Sequence, residues 1–241
     1  RAFGLLRGHA GDRLVDQQEL GILNHPLIAY NGGYVIRVQQ GTAHVYDSVT
    51  IPVEVCRSIT GLIKGTKIHA SLYHGDDWFA PARDQWTDRE ERITKVQAQI
   101  RPAEKVLDDW ERHHAGAHKV MCMGDADEIA YLQQKLLSKH ALDLHVYLSR
   151  PTYLELAPAS ISKGSALKLI LEKQYNIPVS DVIAFGDNYN DIELLRTAGL
   201  GVAVNNAREE VKAIADELTL DSIQDGVAVS LIKWMNLSHE S

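Results

Sequence analysis

The stretch of residues 181–191, which reads DVIAFGDNYND, gives the clearest indication of the fold class. Its first half, Asp181–Phe185, is a short apolar run that predicts a buried strand. Its second half predicts a loop over Gly186–Tyr189 and then a helix through Leu195. A strand that passes directly into a polar loop and a helix is typical of open α/β sheets, in which ligands bind at the carboxyl ends of the strands.

The same alternation of strand and helix continues on both sides of this stretch. Apolar residues at helical spacing predict a helix over Ser162–Tyr175, with Ser162 as its N-cap. Further strands are predicted at Pro26–Tyr30, Tyr153–Ala157, Gly201–Val204 and Glu217–Leu220, and further helices at Ala207–Ala215 and Asp225–Trp234. Short connections between such segments indicate a parallel sheet that is covered by helices on both faces.

The middle of the chain has a different pattern, which predicts paired antiparallel strands. A hairpin is expected around Gln40-Gly41, and a second strand pair around His74-Gly75-Asp76. The predicted elements are strands at Tyr34–Gln39, Thr42–Asp47, Lys67–Tyr73, Asp77–Ala80, Lys119–Met123 and Leu144–Leu148, and helices at Pro52–Ile63 and Asp125–Leu136. We therefore predict an α/β fold in which a doubly wound, Rossmann-like core, residues 1–33 and 154–241, contains an inserted α+β domain, residues 34–153.

Composition excludes several classes of function. The 241 residues are 45% hydrophobic and 24% charged, with a formal net charge of −7. No stretch concentrates Lys and Arg, so a nucleic-acid partner is not expected. No apolar run reaches the ~20 residues that span a bilayer, so no membrane partner is expected either. The two cysteines, Cys56 and Cys122, have apolar neighbours and predict buried free thiols and a reducing, cytoplasmic location. Oligomeric state is not indicated.

The polar loop after the predicted strand 181–185 is the first candidate site. Asp187 and Asp191, with the amides of Asn188 and Asn190, place hard oxygen ligands within five residues. Such ligands suit Mg²⁺, which takes one or two carboxylates together with water and phosphate oxygens. The alternative is a helix N-cap cluster, because Asp and Asn are also favoured at helix starts.

Lys163 is the second candidate, because it falls in the first turn of its predicted helix. A cation at that position opposes the helix dipole at a cost of ~0.3–1 kcal/mol. An anion beside it would offset that cost, and the backbone N–H groups of the same helix end would help to hold a phosphate. The alternative is a solvated lysine on the surface.

Several of these segments together resemble the haloacid dehalogenase superfamily, specifically the Cof-like phosphatases with a large α/β cap domain. The resemblance covers most of the chain, and the similar motifs occur in the order found in that family. The motifs are Tyr30-Asn31-Gly32-Gly33, Tyr153-Leu154-Glu155-Leu156, Ile161-Ser162-Lys163-Gly164-Ser165-Ala166-Leu167, Gly186-Asp187-Asn188-Tyr189-Asn190-Asp191, Gly201-Val202-Ala203-Val204-Asn205-Asn206-Ala207 and Asp225-Gly226-Val227-Ala228.

This resemblance implies a Mg²⁺-dependent hydrolase of small phosphate monoesters, such as sugar phosphates, that acts through an aspartyl-phosphate intermediate. By the resemblance, Lys163 and Asp187 are catalytic, and Asp187 binds Mg²⁺. Asp191 binds the metal or holds its water. Lys163 also neutralises the phosphate, Asn190 contacts it, and Asn206 lines the same pocket.

The sequence departs from the family pattern at the nucleophile. That family places the attacking aspartate in an Asp-x-Asp-Gly segment, and no such segment occurs here. The nearest match, Asp125-Ala126-Asp127, is followed by Glu128 and lies in the predicted cap. Arg1 resembles the arginine that follows the family's phosphate-binding Ser/Thr motif. We therefore expect the sequence to begin after both motifs, and a chain that starts at Arg1 to be incompletely folded and inactive by itself.

Three functions remain open at this point. The first is a phosphatase, and the second is a non-catalytic protein that binds a phosphorylated metabolite. The third is a phosphomutase of the same fold, which returns the phosphate to its substrate. Release of free phosphate separates the first from the third.

Overall fold

The computed structural model describes residues 5–7, 25–39 and 42–235, with side chains described for residues 25–39 and 42–234. The chain divides into two compact units, Arg1–Ile161 and Ser162–Ser241.

The N-terminal unit contains a small mixed sheet of four strands in the order β1-β2-β3-β4. Strand β1 pairs in parallel with β2, and the remaining pairs are antiparallel. Between β2 and β3, the residues Tyr30, Asn31 and Gly32 all have positive φ, so the chain turns sharply there. The strands are β1 (Leu5–Arg7), β2 (Leu27–Ala29), β3 (Tyr34–Gln39) and β4 (Thr42–Ser48), which confirms the predicted hairpin.

The same unit contains a second sheet of six strands, in the order β7-β6-β5-β8-β10-β9. Every pair in it is antiparallel except β6 with β7. Its strands are β5 (His69–His74), β6 (Asp77–Ala80), β7 (Gln99–Ile100), β8 (Lys119–Met123), β9 (Leu144–Arg150) and β10 (Tyr153–Pro158). Its helices are α1 (Val53–Leu62), α2 (Gln85–Thr94), α3 (Ala103–Arg112) and α4 (Ala126–His140).

The two faces of the six-stranded sheet differ in chemistry because alternate residues of a strand point to opposite faces. One face is apolar: Ala70 and Leu72 of β5 and Leu154 of β10 pack with buried residues of α1, α3 and α4. The other face is aromatic and polar, with Tyr73 and Tyr153 in a separate cluster that includes Trp78, Met121 and Met123. Helix α2 lies against this second face, where Trp86 joins the cluster.

The C-terminal unit is a three-stranded parallel sheet in the order β11-β12-β13. Its strands are β11 (Ile183–Gly186), β12 (Leu200–Val204) and β13 (Glu217–Thr219). Its helices are α5 (Lys163–Ile170), which continues as a π-helical turn over Leu171–Tyr175, α6 (Ile192–Thr197), α7 (Glu209–Lys212) and α8 (Gly226–Met235). The predicted alternation of strand and helix is confirmed here.

One strand prediction is wrong in its placement. The strand at Tyr153–Ala157 exists, but β10 pairs antiparallel with β8 and β9 rather than lying in a parallel sheet. Strand pairing is a nonlocal property, and an apolar strand buried on both faces has the same pattern in either kind of sheet. The division into a core of residues 1–33 and 154–241 and an inserted domain of residues 34–153 stays a prediction.

Both cysteines are buried free thiols, as predicted. Burial raises the pKa of Cys56 and that of Cys122 to about 12, so both are protonated at neutral pH. Among the described residues, no helix combines the length and the apolar character that crossing a bilayer requires.

Candidate functional site

The candidate site begins where β11 ends. Gly186 is the last residue of the strand, and Asp187 follows it at the carboxyl end of the parallel sheet. A Cβ atom on Gly186 would lie 2.5 Å from Cβ of Asp191, closer than two such atoms approach in proteins. Glycine is therefore required here so that the loop can fold back and bring Asp191 beneath Asp187.

Asp191 is the residue around which the loop is organised. It is only 4% exposed, and both of its carboxylate oxygens accept hydrogen bonds. Oδ1 accepts from Nζ of Lys163 at 2.6 Å. Oδ2 accepts from the backbone N–H groups of Asp187 at 3.0 Å and Asn188 at 3.2 Å. One buried carboxylate thus fixes both the catalytic lysine candidate and the backbone that presents Asp187.

Lys163 is placed by the start of α5. The side chain of Ser162 accepts a hydrogen bond from the N–H of Ser165 at 2.9 Å, and the Ser165 hydroxyl accepts one from the N–H of Ser162 at 3.0 Å. This reciprocal capping fixes the first turn of the helix. A Cβ on Gly164 would lie 2.8 Å from the carbonyl oxygen of Glu193, so the glycine lets α5 approach α6 closely enough for Lys163 to reach Asp191.

Asp187 is an exposed residue at the tip of this arrangement. Partial burial of its carboxyl raises its pKa above the ordinary value, the negative charge of Asp191 raises it further, and Lys163 acts in the opposite direction. The site therefore has more negative charge than Lys163 balances, and a divalent cation beside Asp187 would relieve that excess.

A groove adjoins Asp187 within the C-terminal unit. It is lined by Asp187, Asn188, Tyr189, Asn206, Ala207, Arg208, Glu209 and Glu210. The backbone N–H of Arg208 donates to the carbonyl oxygen of Asp187 at 3.0 Å, which joins the two loops that form the walls. Asn206 lines the groove, but its side chain forms two hydrogen bonds with Ser222. Its Nδ2 donates to Oγ of Ser222 at 3.0 Å, and its Oδ1 accepts from the backbone N–H of Ser222 at 2.9 Å.

The structure brings together three of the residues singled out from sequence: Lys163, Asp187 and Asp191. It also shows why the helix-cap alternative is partly right, because Asn188 accepts a hydrogen bond from the N–H of Tyr189 at 2.9 Å. Sequence reasoning missed the direct ion pair between Lys163 and Asp191 and the link from Arg208 to Asp187. Both join residues that are far apart in sequence, and no local pattern indicated them.

The donor set fits Mg²⁺ as a partial site. Within the described ranges, no group of three or more His, Cys, Asp and Glu side chains could hold a metal ion by itself. Mg²⁺ commonly binds through one or two carboxylates and completes its shell with water and substrate phosphate oxygens. The exposed carboxylate of Asp187, with its excess of local negative charge, matches that requirement.

Comparison with known proteins gives consistent matches. The family of haloacid dehalogenase-like hydrolases matches residues 14–231. A putative phosphatase of Haemophilus influenzae is 30% identical over 209 residues, which are 86% of this chain and 75% of that protein. Phosphatase YwpJ of Bacillus subtilis is 48% identical over 90 residues, but these are only 37% of this chain and 31% of that protein.

A crystal structure of a protein from Thermotoga maritima has the same fold. It superposes with a TM-score of 0.80 and 27% identity, over 99% of this chain and 86% of that one. This likeness confirms the predicted α/β class, a Rossmann-like core domain with a cap.

Proposed function

The chain belongs to the haloacid dehalogenase-like hydrolase family, and on that basis we propose that it is a Mg²⁺-dependent phosphatase of small phosphate monoesters. The relatives that are named phosphatases support the reaction class. The substrate class, sugar phosphates or similar metabolites, follows from the predicted cap, since a domain that closes over a site encloses a small molecule.

The observation that carries this proposal is the ion pair of Lys163 with buried Asp191, directly below an exposed Asp187. Phosphoryl transfer depends mainly on positioning and on charges that balance the phosphate oxygens. Here Lys163 and the carboxylate of Asp191 are held in place by hydrogen bonds, at the carboxyl end of a strand of the parallel sheet.

Each of the three residues then has a distinct role. Lys163 neutralises negative charge on the bound phosphate, and Asp187 holds Mg²⁺. When bound, the metal would polarise a phosphate oxygen and balance its charge. Asp191 was also predicted as a metal ligand, but both of its oxygens are already engaged. We therefore give it a positioning role, holding Lys163 in place and fixing the loop that carries Asp187.

The two asparagines have different support. For Asn190 we keep the role of contacting the phosphate, because it lies on the short helical turn between Asp187 and Asp191. For Asn206, contact with the phosphate would require loss of its two hydrogen bonds to Ser222. We propose instead that Asn206 holds the wall of the groove beside Asp187. A cytoplasmic location is proposed because both cysteines remain free thiols.

A second candidate function is binding of a phosphorylated metabolite without hydrolysis. The charges of Lys163 and Asp187 would hold a phosphate and a metal ion whether or not a nucleophile attacks. Binding and hydrolysis are therefore separated only by measuring product.

The test is a panel of small phosphate esters incubated with the protein expressed from its natural gene. We expect release of inorganic phosphate from at least one ester with Mg²⁺, and none after a chelator is added. Transfer of phosphate within the substrate, without release, would identify a mutase. Binding of esters with no chemical change would support the second candidate and overturn the phosphatase.

A further inference from the structure

Two arginines of the N-terminal unit share one aromatic ring. Arg89 lies on α2, and Arg150 is the last residue of β9. Their Cζ atoms lie 5.3 Å and 5.7 Å from the centroid of the Tyr153 ring. Arg150 is the residue directly opposite Tyr153 in the β9–β10 pair, and the pairing is irregular immediately after it. The sheet and the helix thus place two guanidinium groups against the same ring.

The ring beneath them is held rigidly. Tyr153 is 6% exposed, and its hydroxyl donates to Oε1 of Glu90 at 3.1 Å. Burial, together with the charge of Glu90, raises the pKa of Tyr153 to about 12, so the phenol stays neutral. Trp86 packs edge-on against the same ring, with centroids 5.6 Å apart. A fixed aromatic floor lowers the entropy cost of ordering the two guanidinium groups that lie on it.

Neither Arg89 nor Arg150 forms an ion pair within the part of the chain that the structure describes, and both are exposed. Ion pairs within that part are likewise absent from other described arginines, namely Arg37, Arg92, Arg196 and Arg208. What sets Arg89 and Arg150 apart is that both lie against one aromatic ring.

The carboxylates near Arg89 are already engaged by other groups. Asp88 and Glu91 on the same helix pair with Arg83, and Glu90 accepts from Tyr153. Two like charges around one ring repel each other.

We propose that Arg89 and Arg150 form a binding site for the phosphate group of a small molecule, with the ring of Tyr153 as its floor. A guanidinium that stacks on a ring through its face keeps its N–H groups free at its edge, where they can donate in pairs to phosphate oxygens. An anion would also remove the repulsion between the two arginines. All the contacts that define this site lie within the N-terminal unit, and the site does not depend on the proposed phosphatase activity.

The test uses the indole N–H signal of Trp86 in the NMR spectrum of ¹⁵N-labelled protein, assigned with Trp86→Phe. Titration with inorganic phosphate at constant ionic strength should shift this signal to saturation. Arg89→Ala and Arg150→Ala should each weaken the affinity about tenfold or more, because each removes a charge-assisted pair of hydrogen bonds. Titration with a phosphate monoester then shows whether the site accepts an esterified group.

Two controls separate this site from general charge effects and from the other unit. Arg92→Ala removes a charge from the same exposed helix face without touching Tyr153, and Lys163→Ala removes the cation of the other candidate site. Both should leave the Trp86 response unchanged.

Two further variants test whether the guanidinium geometry matters. Arg89→Lys and Arg150→Lys keep the charge but lose the paired hydrogen bonds, so each should also weaken phosphate binding.

Three results would overturn the proposal. One is no saturable shift of Trp86 with phosphate in the unmodified protein. Another is an equal loss of affinity in Arg92→Ala. The third is a response to phosphate that survives in both alanine variants, Arg89→Ala and Arg150→Ala, while circular dichroism shows that they are folded. In that case the arginines only balance the buried charge of Glu90.

Discussion

At the scale of single residues, the candidate site depends on Asp191. A buried ion pair costs solvation energy, and removing one partner leaves the other charge without compensation. Asp191 is the partner that also holds the backbone of Asp187 and Asn188. Loss of the Asp191 carboxylate should therefore lower the stability of the protein and displace the residues proposed to bind metal and phosphate.

We expect Asp191→Asn to lower the free energy of unfolding by about 3 kcal/mol, since it leaves the ammonium of Lys163 unpaired in a largely buried site. Lys163→Met should cost less, because the carboxylate of Asp191 keeps two backbone donors. Chemical denaturation of both variants and of the double variant measures the coupling. Additive effects, with no coupling energy, would show that the two side chains do not form the pair.

Asp187 should make the protein less stable as the pH rises. The pKa of Asp187 is higher in the folded protein than its ordinary value of about 4. At pH values between the two pKa values, the folded protein therefore binds more protons than the unfolded protein. Stability then falls with rising pH through that window and stays lower above it. Without metal, Asp187→Asn should therefore raise the melting temperature at pH 7 and leave it unchanged below both pKa values.

Mg²⁺ should offset the loss of stability that the charge of Asp187 causes, and it should do so in the unmodified protein but not in Asp187→Asn. A cation that binds the folded state raises the melting temperature by mass action, and Asp187→Asn removes its ligand. Thermal unfolding with and without Mg²⁺ at pH 7 gives the comparison. An equal Mg²⁺-induced shift in both proteins would mean that Asp187 does not hold the metal.

The sequence identified the residues of this site but not all of their contacts. Asp187 and Asp191 could be found because they follow a short apolar strand, at the end where ligands bind in a parallel sheet. Lys163 could be found because it falls in the first turn of a helix whose apolar spacing is clear. The ion pair between Lys163 and Asp191 could not be predicted, because it depends on the distance between α5 and α6. The spacing of residues in the sequence does not give that distance.

At the scale of elements, Gly164 sets the separation of α5 and α6. A Cβ there would lie 2.8 Å from both the Glu193 carbonyl oxygen and the Thr197 hydroxyl oxygen. Gly164→Ala should therefore lower the free energy of unfolding by about 1–3 kcal/mol, because the added methyl group overpacks the contact between the helices. It should also lower activity, because it displaces Lys163.

Gly61 on α1 is the matched control for this change. A Cβ at Gly61 would meet nothing within 4 Å. Gly61→Ala should therefore stabilise the protein, by roughly 0.5–1 kcal/mol, through helix propensity alone. Denaturant unfolding of Gly164→Ala and Gly61→Ala compares their free energies of unfolding. An equal change in the two variants would contradict the close approach of α5 to α6.

The elements that sequence analysis missed have identifiable causes. Helix α2 is mostly polar, and its clearest signal is Asp84, which caps it by accepting from the N–H groups of Trp86 and Thr87. Helix α3 does have apolar residues at helical spacing, with Val106 and Trp110 buried one turn apart. Pro102, directly before the first residue of α3, is a helix-start signal as well, so this helix could have been predicted from local sequence. The pairing of β10 could not be inferred from sequence at all.

At the scale of the whole molecule, the chain crosses between the predicted core and the predicted inserted domain only twice, near Asn31–Tyr34 and near Pro151–Leu154. Two short connections permit a hinge. We expect the inserted domain to move relative to the core when a phosphate ester and Mg²⁺ bind together. Small-angle scattering of the protein with and without both ligands measures this change, and superimposable curves at saturation would count against it.

The most direct test of the central claim is the rate of phosphate release by Asp187→Asn, with Asp181→Asn as the control. Asp181 is an exposed residue before β11 that loses the same charge outside the site. With the best ester of the panel and saturating Mg²⁺, Asp187→Asn should be slower by about 100-fold or more, because a metal ligand contributes several kcal/mol to the barrier. Asp181→Asn should keep the rate of the unmodified protein. Equal rates for Asp187→Asn and Asp181→Asn would contradict the assignment of the site.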